Sequence, residues 1–167
     1  YGPIIGVTDL REVVVQELLR PKGIDCDVEN VMITTGGLEG IYLACQAYIN
    51  PGDVILVEAP TFVQCVEIFD MLEARCVSVA MDDDGLIPED LEQKIRELHP
   101  KMVYVIPTFQ NPSGKTLPLE RRRQLAELFG VLLWDNQQAH RLEADGRYDR
   151  AAKLFITHVD TGVDAGQ

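Results

Sequence analysis

The sequence predicts an α/β fold in which helices cover both faces of a mainly parallel sheet. Short apolar, β-branched runs alternate with longer segments of helical periodicity, at the spacing of βαβ units. Five runs have the length and composition of strands, and they span residues 31–34, 54–58, 75–80, 102–106 and 131–134. Because several of these runs are continuously apolar, we expect a sheet whose two faces are both covered, as in a three-layer α/β/α sandwich.

Helices are predicted from apolar periodicity and from proline or glycine at their ends. The first, over residues 9–20, repeats apolar side chains at helical spacing and stops at Pro21 and Gly23. Further helices are expected over residues 41–49, 63–72, 88–98 and 120–128. Residues 141–155 carry an irregular helical pattern.

Length and composition fit one domain with a buried core. The chain has 167 residues, 46% of them hydrophobic, and a formal net charge of −12. This acidity, without a basic stripe, argues against a nucleic-acid partner. No apolar run reaches the roughly 18 residues of a membrane span, and the first residues lack a signal-peptide pattern. We therefore expect a cytoplasmic protein that binds neither nucleic acid nor membranes.

A glycine pair stands between the first predicted strand and the next helix. Residues 35–38 read Thr-Gly-Gly-Leu. The N-terminus of a helix presents converging N–H groups and favours negative charge, and glycine lets an anion approach without a Cβ atom in the way. Gly36, Gly37 and Leu38 are therefore candidate anion ligands through their main-chain N–H groups. The alternative is a glycine helix cap without a ligand.

A polar loop follows the predicted strand over residues 102–106. Pro107 ends the strand, and residues 110–114, Gln-Asn-Pro-Ser-Gly, form a dense cluster of turn formers. Ligands of open α/β sheets bind at the carboxyl ends of strands. An amide such as Asn111 can donate and accept hydrogen bonds at such a position. The alternative is a plain connection between a strand and a helix.

Other patterns give weaker indications of a site. Asp82, Asp83 and Asp84 lack the alternate spacing and distal glutamate of a calcium loop, so we expect a solvated acidic turn. Ser113 lies in a turn but outside a G-x-S-x-G motif. The four cysteines have no C-x-x-C spacing, so neither a metal site nor a disulfide is expected. The three arginines over residues 121–123 are interpreted as the solvated face of a helix, with an anion-binding patch as the alternative.

The order of these motifs resembles that of fold-type I, pyridoxal-phosphate-dependent aminotransferases. Residues 107–114 are similar to the family's P-x-x-Q-N-P-[ST]-G segment, and residues 58–62 to its E-x-P-[TS]-[YFW] segment. The similarity is greatest to class I members of the aminoadipate and aromatic aminotransferase subgroup and to MocR-like regulators. It implies the large domain of a pyridoxal phosphate transferase, here truncated because the last strands of that domain are lacking.

The resemblance implies that pyridoxal 5'-phosphate is the cofactor, and it assigns roles to residues at three strand ends. Gly36, Gly37 and Leu38 would hold the phosphate through main-chain N–H groups. Phe62 would stack on the pyridine ring, the alternative being an ordinary core aromatic. Asn111 would contact the phenolic oxygen, in a family where the Asn-Pro bond that follows is often cis.

Two further roles lie at the ends of the region that resembles the family. Asp135 would pair with the protonated pyridine nitrogen and so keep the ring an electron sink. The match degrades there, because Trp134 replaces the usual glutamate and Gln138 the usual tyrosine. Tyr1 matches a tyrosine that reaches the cofactor phosphate of the neighbouring subunit, which implies a homodimer.

The resemblance covers residues 1–135, and residues 136–167 are predicted to form a divergent tail. In the family the Schiff-base lysine lies in an S-[FL]-S-K-type segment, which this sequence lacks. Lys153 lacks that context, so no catalytic residue is identified. The predicted function is amino-group transfer between an amino acid and a 2-oxo acid, with this chain an incomplete or inactive fragment. The alternatives are the effector module of a MocR-like transcription regulator and a remnant without function.

Overall fold

A four-stranded parallel sheet is the central element of the computed structural model, which describes residues 2–129 and 153–156. The strands and a small hairpin are, in chain order, β1 (Val54–Glu58), β2 (Arg75–Val79), β3 (Met81–Asp82), β4 (Gly85–Leu86), β5 (Met102–Val105) and β6 (Lys153–Ile156). The sheet has the order β2-β1-β5-β6, and each neighbouring pair is parallel. Strands β3 and β4 form a separate antiparallel hairpin.

Five α-helices flank these strands in the described part of the chain. They are α1 (Thr8–Val13), α2 (Gly37–Tyr48), α3 (Val63–Met71), α4 (Pro88–Leu98) and α5 (Leu119–Phe129). Helix α1 continues as a π-helix over Val14–Leu19, and the segment stops at Gly23, which has a left-handed backbone. Among the described residues no helix is both long and apolar enough to cross a membrane.

The helices pack on both faces of the sheet. Ile55 and Tyr104 belong to one buried cluster, which includes residues of α2 and α3. Leu56 and Val103, their neighbours along the strands, belong to a second cluster with residues of α4 and α5. Since successive residues of a strand point to opposite faces, the sheet is buried on both sides. This confirms the predicted three-layer α/β/α arrangement.

Two predicted elements are wrong. Residues 31–34 are not a strand, although the Ile33 N–H donates to the Ile5 carbonyl at 3.1 Å. A strand needs a neighbour that satisfies its backbone groups, and none pairs with this segment in the described part of the chain. The helical pattern over residues 141–155 is wrong at its end, because β6 pairs with β5 there. The predicted strand over residues 131–134 lies outside the described residues.

Two of the three consecutive arginines are not solvated, so the interpretation of residues 121–123 as a solvated helix face is wrong for them. Arg121 pairs with both carboxylate oxygens of Asp82, at 2.6 and 2.7 Å. Arg122 is only 9% exposed and donates to two backbone carbonyls of the loop after β5, at 2.7 and 2.9 Å. Arg123 keeps 53% of its side chain exposed. The first two arginines therefore anchor α5 to the hairpin and to the loop.

The direction of the chain across the sheet changes between β1 and β5. From β1 the chain passes through α3, on one face, to β2 at one edge. From β5 it passes through α5, on the other face, towards β6 at the opposite edge. The carboxyl ends of β1 and β5 therefore flank a topological switch point. In open α/β sheets such a crevice is where ligands bind.

Candidate functional site

Three segments reach the carboxyl edge of the sheet at the switch point. Two of them are the loops that follow β1 and β5. The third is the N-terminus of α2, because this helix runs back along the sheet and leads through a short turn into β1. The 12 residues of α2 rise about 18 Å and the five of β1 about 17 Å, so the start of the helix lies level with the end of the strand.

The N-terminus of α2 has the features of an anion site. Gly36 caps the helix with φ of +148°, a conformation that residues with a Cβ rarely adopt. A Cβ atom added to Gly36 or Gly37 would meet nothing within 4 Å, so the space before the helix is open. The first N–H groups of a helix have no acceptor within the helix itself. Those of Gly37 and Leu38 can therefore bind an oxyanion.

The side chain of Glu39 closes the turn behind this N-terminus. Its carboxylate accepts hydrogen bonds from the backbone N–H and the hydroxyl group of Thr35, the latter at 2.8 Å. These bonds lower the pKa of Glu39, so the group is ionised at neutral pH. The first turn of the helix is therefore fixed by the chain itself, which leaves the N–H groups of the glycine pair for a ligand.

The loop after β5 is folded around Gln110. This side chain is only 2% exposed, and its Oε1 atom accepts hydrogen bonds from the backbone N–H and the hydroxyl group of Ser113, at 3.0 and 2.6 Å. Ser113 therefore has a structural role in the turn. Asn111 follows Gln110 and is exposed, and its peptide bond to Pro112 is cis, as the resemblance implies. The turn thus presents Asn111 at the carboxyl edge of β5.

Glu58, the last residue of β1, is a buried carboxyl group between the two loops. It is 3% exposed, and its Oε2 atom accepts hydrogen bonds from the Ile106 N–H at 3.0 Å and from Gln110 Nε2 at 3.2 Å. Burial raises its pKa to about 7 in spite of these two bonds. The group consequently changes its protonation state near neutral pH, at the centre of the site.

Phe62 lies in the loop after β1 and is partly buried. It packs against the cluster that includes Phe69 and Tyr104 and directly precedes α3. The hydroxyl group of the preceding residue, Thr61, is buried and has no hydrogen-bond partner among the described residues. Phe62 therefore contacts the core and keeps part of its surface exposed.

The structure places five of the predicted site residues at this edge: Gly36, Gly37, Leu38, Phe62 and Asn111. Tyr1 and Asp135 lie outside the described residues. Lys153 lies at the other end of the strands, away from the site, because it pairs with Met102 at the amino end of β5. The carboxyl end of β6 is three residues further on, about 10 Å away at the rise of a strand.

Sequence reasoning missed Glu58, Gln110 and Arg122 as contributors to the site. Glu58 closes an otherwise apolar strand, and a charged residue in that position was the available signal for a buried polar group. Gln110 was part of the motif that drew attention to Asn111. For Arg122 the sequence holds no such signal, since its two neighbours carry the same charge.

The described residues fit a planar cofactor that carries a phosphate group. The open glycine pair at the start of α2 suits the phosphate, Phe62 offers an aromatic ring, and the exposed amide of Asn111 offers a hydrogen bond to a ring substituent. In the described part of the chain, no group of three or more His, Cys, Asp or Glu side chains could hold a metal ion.

The family model for aminotransferases of class I and II matches residues 1–134. The aromatic-amino-acid aminotransferase 1 of Thermococcus litoralis is 38% identical over 133 residues, which are 77% of this chain and 32% of that protein. A 2-aminoadipate transaminase of Thermus thermophilus is 30% identical over 129 residues, 77% of this chain and 31% of that protein. The chain thus spans about a third of the length of these relatives.

Solved structures of aminotransferases share the fold. A kynurenine aminotransferase of Pyrococcus horikoshii, in complex with PMP, superposes with a TM-score of 0.69 at 38% identity, over 77% of this chain and 33% of the other. An archaeal alanine:glyoxylate aminotransferase gives 0.71 at 37% identity, with the same coverage. One aromatic amino acid aminotransferase of Schizosaccharomyces pombe matches 89% of this chain at 30% identity. The boundary at residue 135 stays a prediction.

Proposed function

Because the chain belongs to the class I and II aminotransferase family, whose members depend on pyridoxal phosphate, we propose that it forms the cofactor-binding part of an aminotransferase. The observation that carries this proposal is the meeting of three segments at the switch point: the start of α2, the loop with Phe62 and the loop with Asn111. The proposed reaction is the transfer of an amino group between an amino acid and a 2-oxo acid.

Each described residue has a defined part in this proposal. The N–H groups of Gly36, Gly37 and Leu38 hold the phosphate, Phe62 stacks on the ring, and Asn111 binds its phenolic oxygen. When bound, the cofactor supplies an electron sink for bonds to the α-carbon of an amino acid. With its phosphate at the start of α2 and its ring against Phe62, the cofactor would be held at two points by these residues.

The remaining predicted roles complete the proposal. Asp135 would pair with the pyridine nitrogen, and Tyr1 would reach the phosphate of the second subunit in a homodimer. A cytoplasmic location agrees with four cysteines that are all free. Lys153 is the first residue of β6 and lies at the amino ends of the strands, whereas the site lies at their carboxyl ends. This position supports the proposal that the 167-residue chain alone is an incomplete or inactive fragment.

Titration of the purified 167-residue protein with pyridoxal phosphate tests the proposal. We expect saturable binding of one equivalent, seen as visible circular dichroism of the bound chromophore and competed by inorganic phosphate, without amino transfer. A protein that unfolds cooperatively yet shows no saturable binding contradicts the cofactor site. Amino transfer, together with stoichiometric borohydride labelling of one lysine, contradicts the inactivity of the isolated chain.

The effector module of a MocR-like regulator would use the same cofactor site, so cofactor binding does not separate the two functions. The upstream coding sequence does. A basic segment with a DNA-binding helix encoded directly before Tyr1 would favour the regulator, because such a segment is the electrostatic footprint of nucleic-acid binding. A coding sequence without it favours the enzyme.

A further inference from the structure

We propose that Glu58 and Gln110 are positioning residues, and that they join the two loops of the cofactor site into one unit. This pair is called the Glu58–Gln110 clamp below. The inference rests on the proposed function, because it concerns the two loops that carry Phe62 and Asn111, the residues that would contact the cofactor. Neither member of the clamp is assigned a contact with the cofactor itself.

The clamp connects the loop after β1 to the loop after β5. Gln110 Nε2 donates to the carbonyl oxygen of Pro60 at 2.7 Å and to the carboxyl group of Glu58 at 3.2 Å. Pro60 stands two residues before Phe62 in the chain, and Gln110 directly before Asn111. The amide of one side chain thus spans the gap between the loops that carry the ring-stacking and the oxygen-binding residue.

Gln110 also forms the centre of its own turn. Its Oε1 atom accepts the two bonds from Ser113, its backbone N–H donates to the Lys115 carbonyl at 2.8 Å, and its carbonyl accepts from the Gly114 N–H at 2.5 Å. Asn111 and Pro112 lie inside the segment that these bonds close. The orientation of Asn111 is therefore set through Gln110 rather than by the length of the loop.

Glu58 holds the clamp to the sheet. Its Oε2 atom accepts from the N–H of Ile106, the residue that follows β5, while Glu58 itself ends β1. Both polar side chains are almost fully buried, and a buried polar group that loses its partner is destabilised. The hydrogen bonds of the clamp therefore hold the loop that carries Phe62 beside the loop that carries Asn111.

Five proteins test the clamp: wild type, Gln110→Ala, Glu58→Gln, Ser113→Ala and, as a matched control, Gln93→Ala. Glu58→Gln keeps a carbonyl oxygen that can accept both hydrogen bonds. Gln93 lies on α4, where its side chain bonds to Glu97, outside the site. The readouts are the dissociation constants of pyridoxal phosphate and of inorganic phosphate, which probes the start of α2 alone, and amide hydrogen exchange without ligand.

We expect Gln110→Ala to weaken pyridoxal phosphate binding by about tenfold and phosphate binding by less than about twofold, because only the loop geometry is lost. Glu58→Gln, which keeps an acceptor for both bonds, should weaken pyridoxal phosphate binding less than Gln110→Ala does, and Gln93→Ala should stay within about twofold of wild type for both ligands. In hydrogen exchange, Gln110→Ala should speed exchange at the Ser113 amide, whose acceptor it removes. A milder variant, Ser113→Ala, should weaken pyridoxal phosphate binding by about threefold with an unchanged melting temperature.

Three outcomes contradict the clamp. One is unchanged pyridoxal phosphate affinity in Gln110→Ala. The second is an equal loss of both ligands, which indicates general destabilisation. The third is unchanged exchange at Ser113. If wild type binds no pyridoxal phosphate, the proposed function fails, and the exchange measurement still decides whether Gln110 orders the loop.

Discussion

The buried carboxyl group of Glu58 makes the stability of this protein depend on pH in a way that one substitution removes. Glu58→Gln replaces the carboxyl group by a neutral amide of nearly the same shape. Its carbonyl oxygen can accept the hydrogen bonds that Oε2 receives from Ile106 and Gln110. The variant therefore differs from wild type mainly in having no charge to bury.

The magnitude follows from the pKa of Glu58, which burial raises from 4.5 to about 7. Between these values the folded protein keeps the proton while the unfolded chain has released it, so wild-type stability falls as pH rises through this window. A pKa raised from 4.5 to about 7 corresponds to about 3 kcal/mol, at about 1.36 kcal/mol for each pH unit. Glu58→Gln should match wild type near pH 4.5 and exceed it by up to about 3 kcal/mol above pH 7.

Urea unfolding at constant ionic strength, from about pH 5 to about pH 8, measures this difference in the free energy of unfolding. A matched control is Glu67→Gln, on the exposed side of α3, for which we expect a difference within about 0.5 kcal/mol at every pH. A difference between Glu58→Gln and wild type that stays constant with pH, or that favours wild type more as pH rises, would refute the reasoning.

Two further substitutions test the anchors of the site. Arg122→Ala should lower the free energy of unfolding by about 2–4 kcal/mol, because it removes the hydrogen bonds that the buried guanidinium donates to the Leu117 and Pro107 carbonyls. Arg123→Ala, the exposed control, should change it by less than about 0.5 kcal/mol. Equal values for these variants in urea unfolding would contradict the anchoring role of Arg122. Gly36→Ala should weaken inorganic phosphate binding, because alanine is strained at φ of +148° and its Cβ would enter the open space; unchanged affinity in the phosphate titration would contradict the anion site.

The strands at the centre of the sheet could be predicted because burial on both faces leaves a continuous apolar run, as in β1 and β5. The bounds of α4 agree with the prediction, because proline marks the start of this helix and its apolar residues recur at helical spacing. Residues 31–34 have the apolar, β-branched composition of a strand but do not form one. Composition cannot show whether a neighbouring strand is present to accept and donate the backbone hydrogen bonds, and a segment without such a neighbour is not a strand.

The parts of the candidate site that depend on one residue type after a strand could be predicted from the sequence. The parts that depend on a contact between residues of different strands could not. The glycine pair and Asn111 could be found from their position after strands. The clamp depends on Glu58 and Gln110, which lie 52 residues apart and meet only because β1 and β5 are neighbours. Likewise Arg121 and Arg122 are indistinguishable from Arg123 in sequence, and only the packing of α5 separates the buried side chains from the exposed one.

The pKa of Glu58 also bears on why a carboxyl group lies at this position at all. A buried group whose charge is disfavoured by about 3 kcal/mol lowers stability above pH 7, and an apolar residue would fold with less penalty. An apolar residue would, however, leave the Ile106 N–H and one donor of Gln110 without an acceptor. Stability above pH 7 therefore favours an uncharged side chain at position 58, whereas the geometry of the loops requires a hydrogen-bond acceptor there. Glu58→Gln separates these two requirements: it should gain stability above pH 7 and lose less pyridoxal phosphate affinity than Gln110→Ala does, because it removes the charge and keeps an acceptor for both hydrogen bonds.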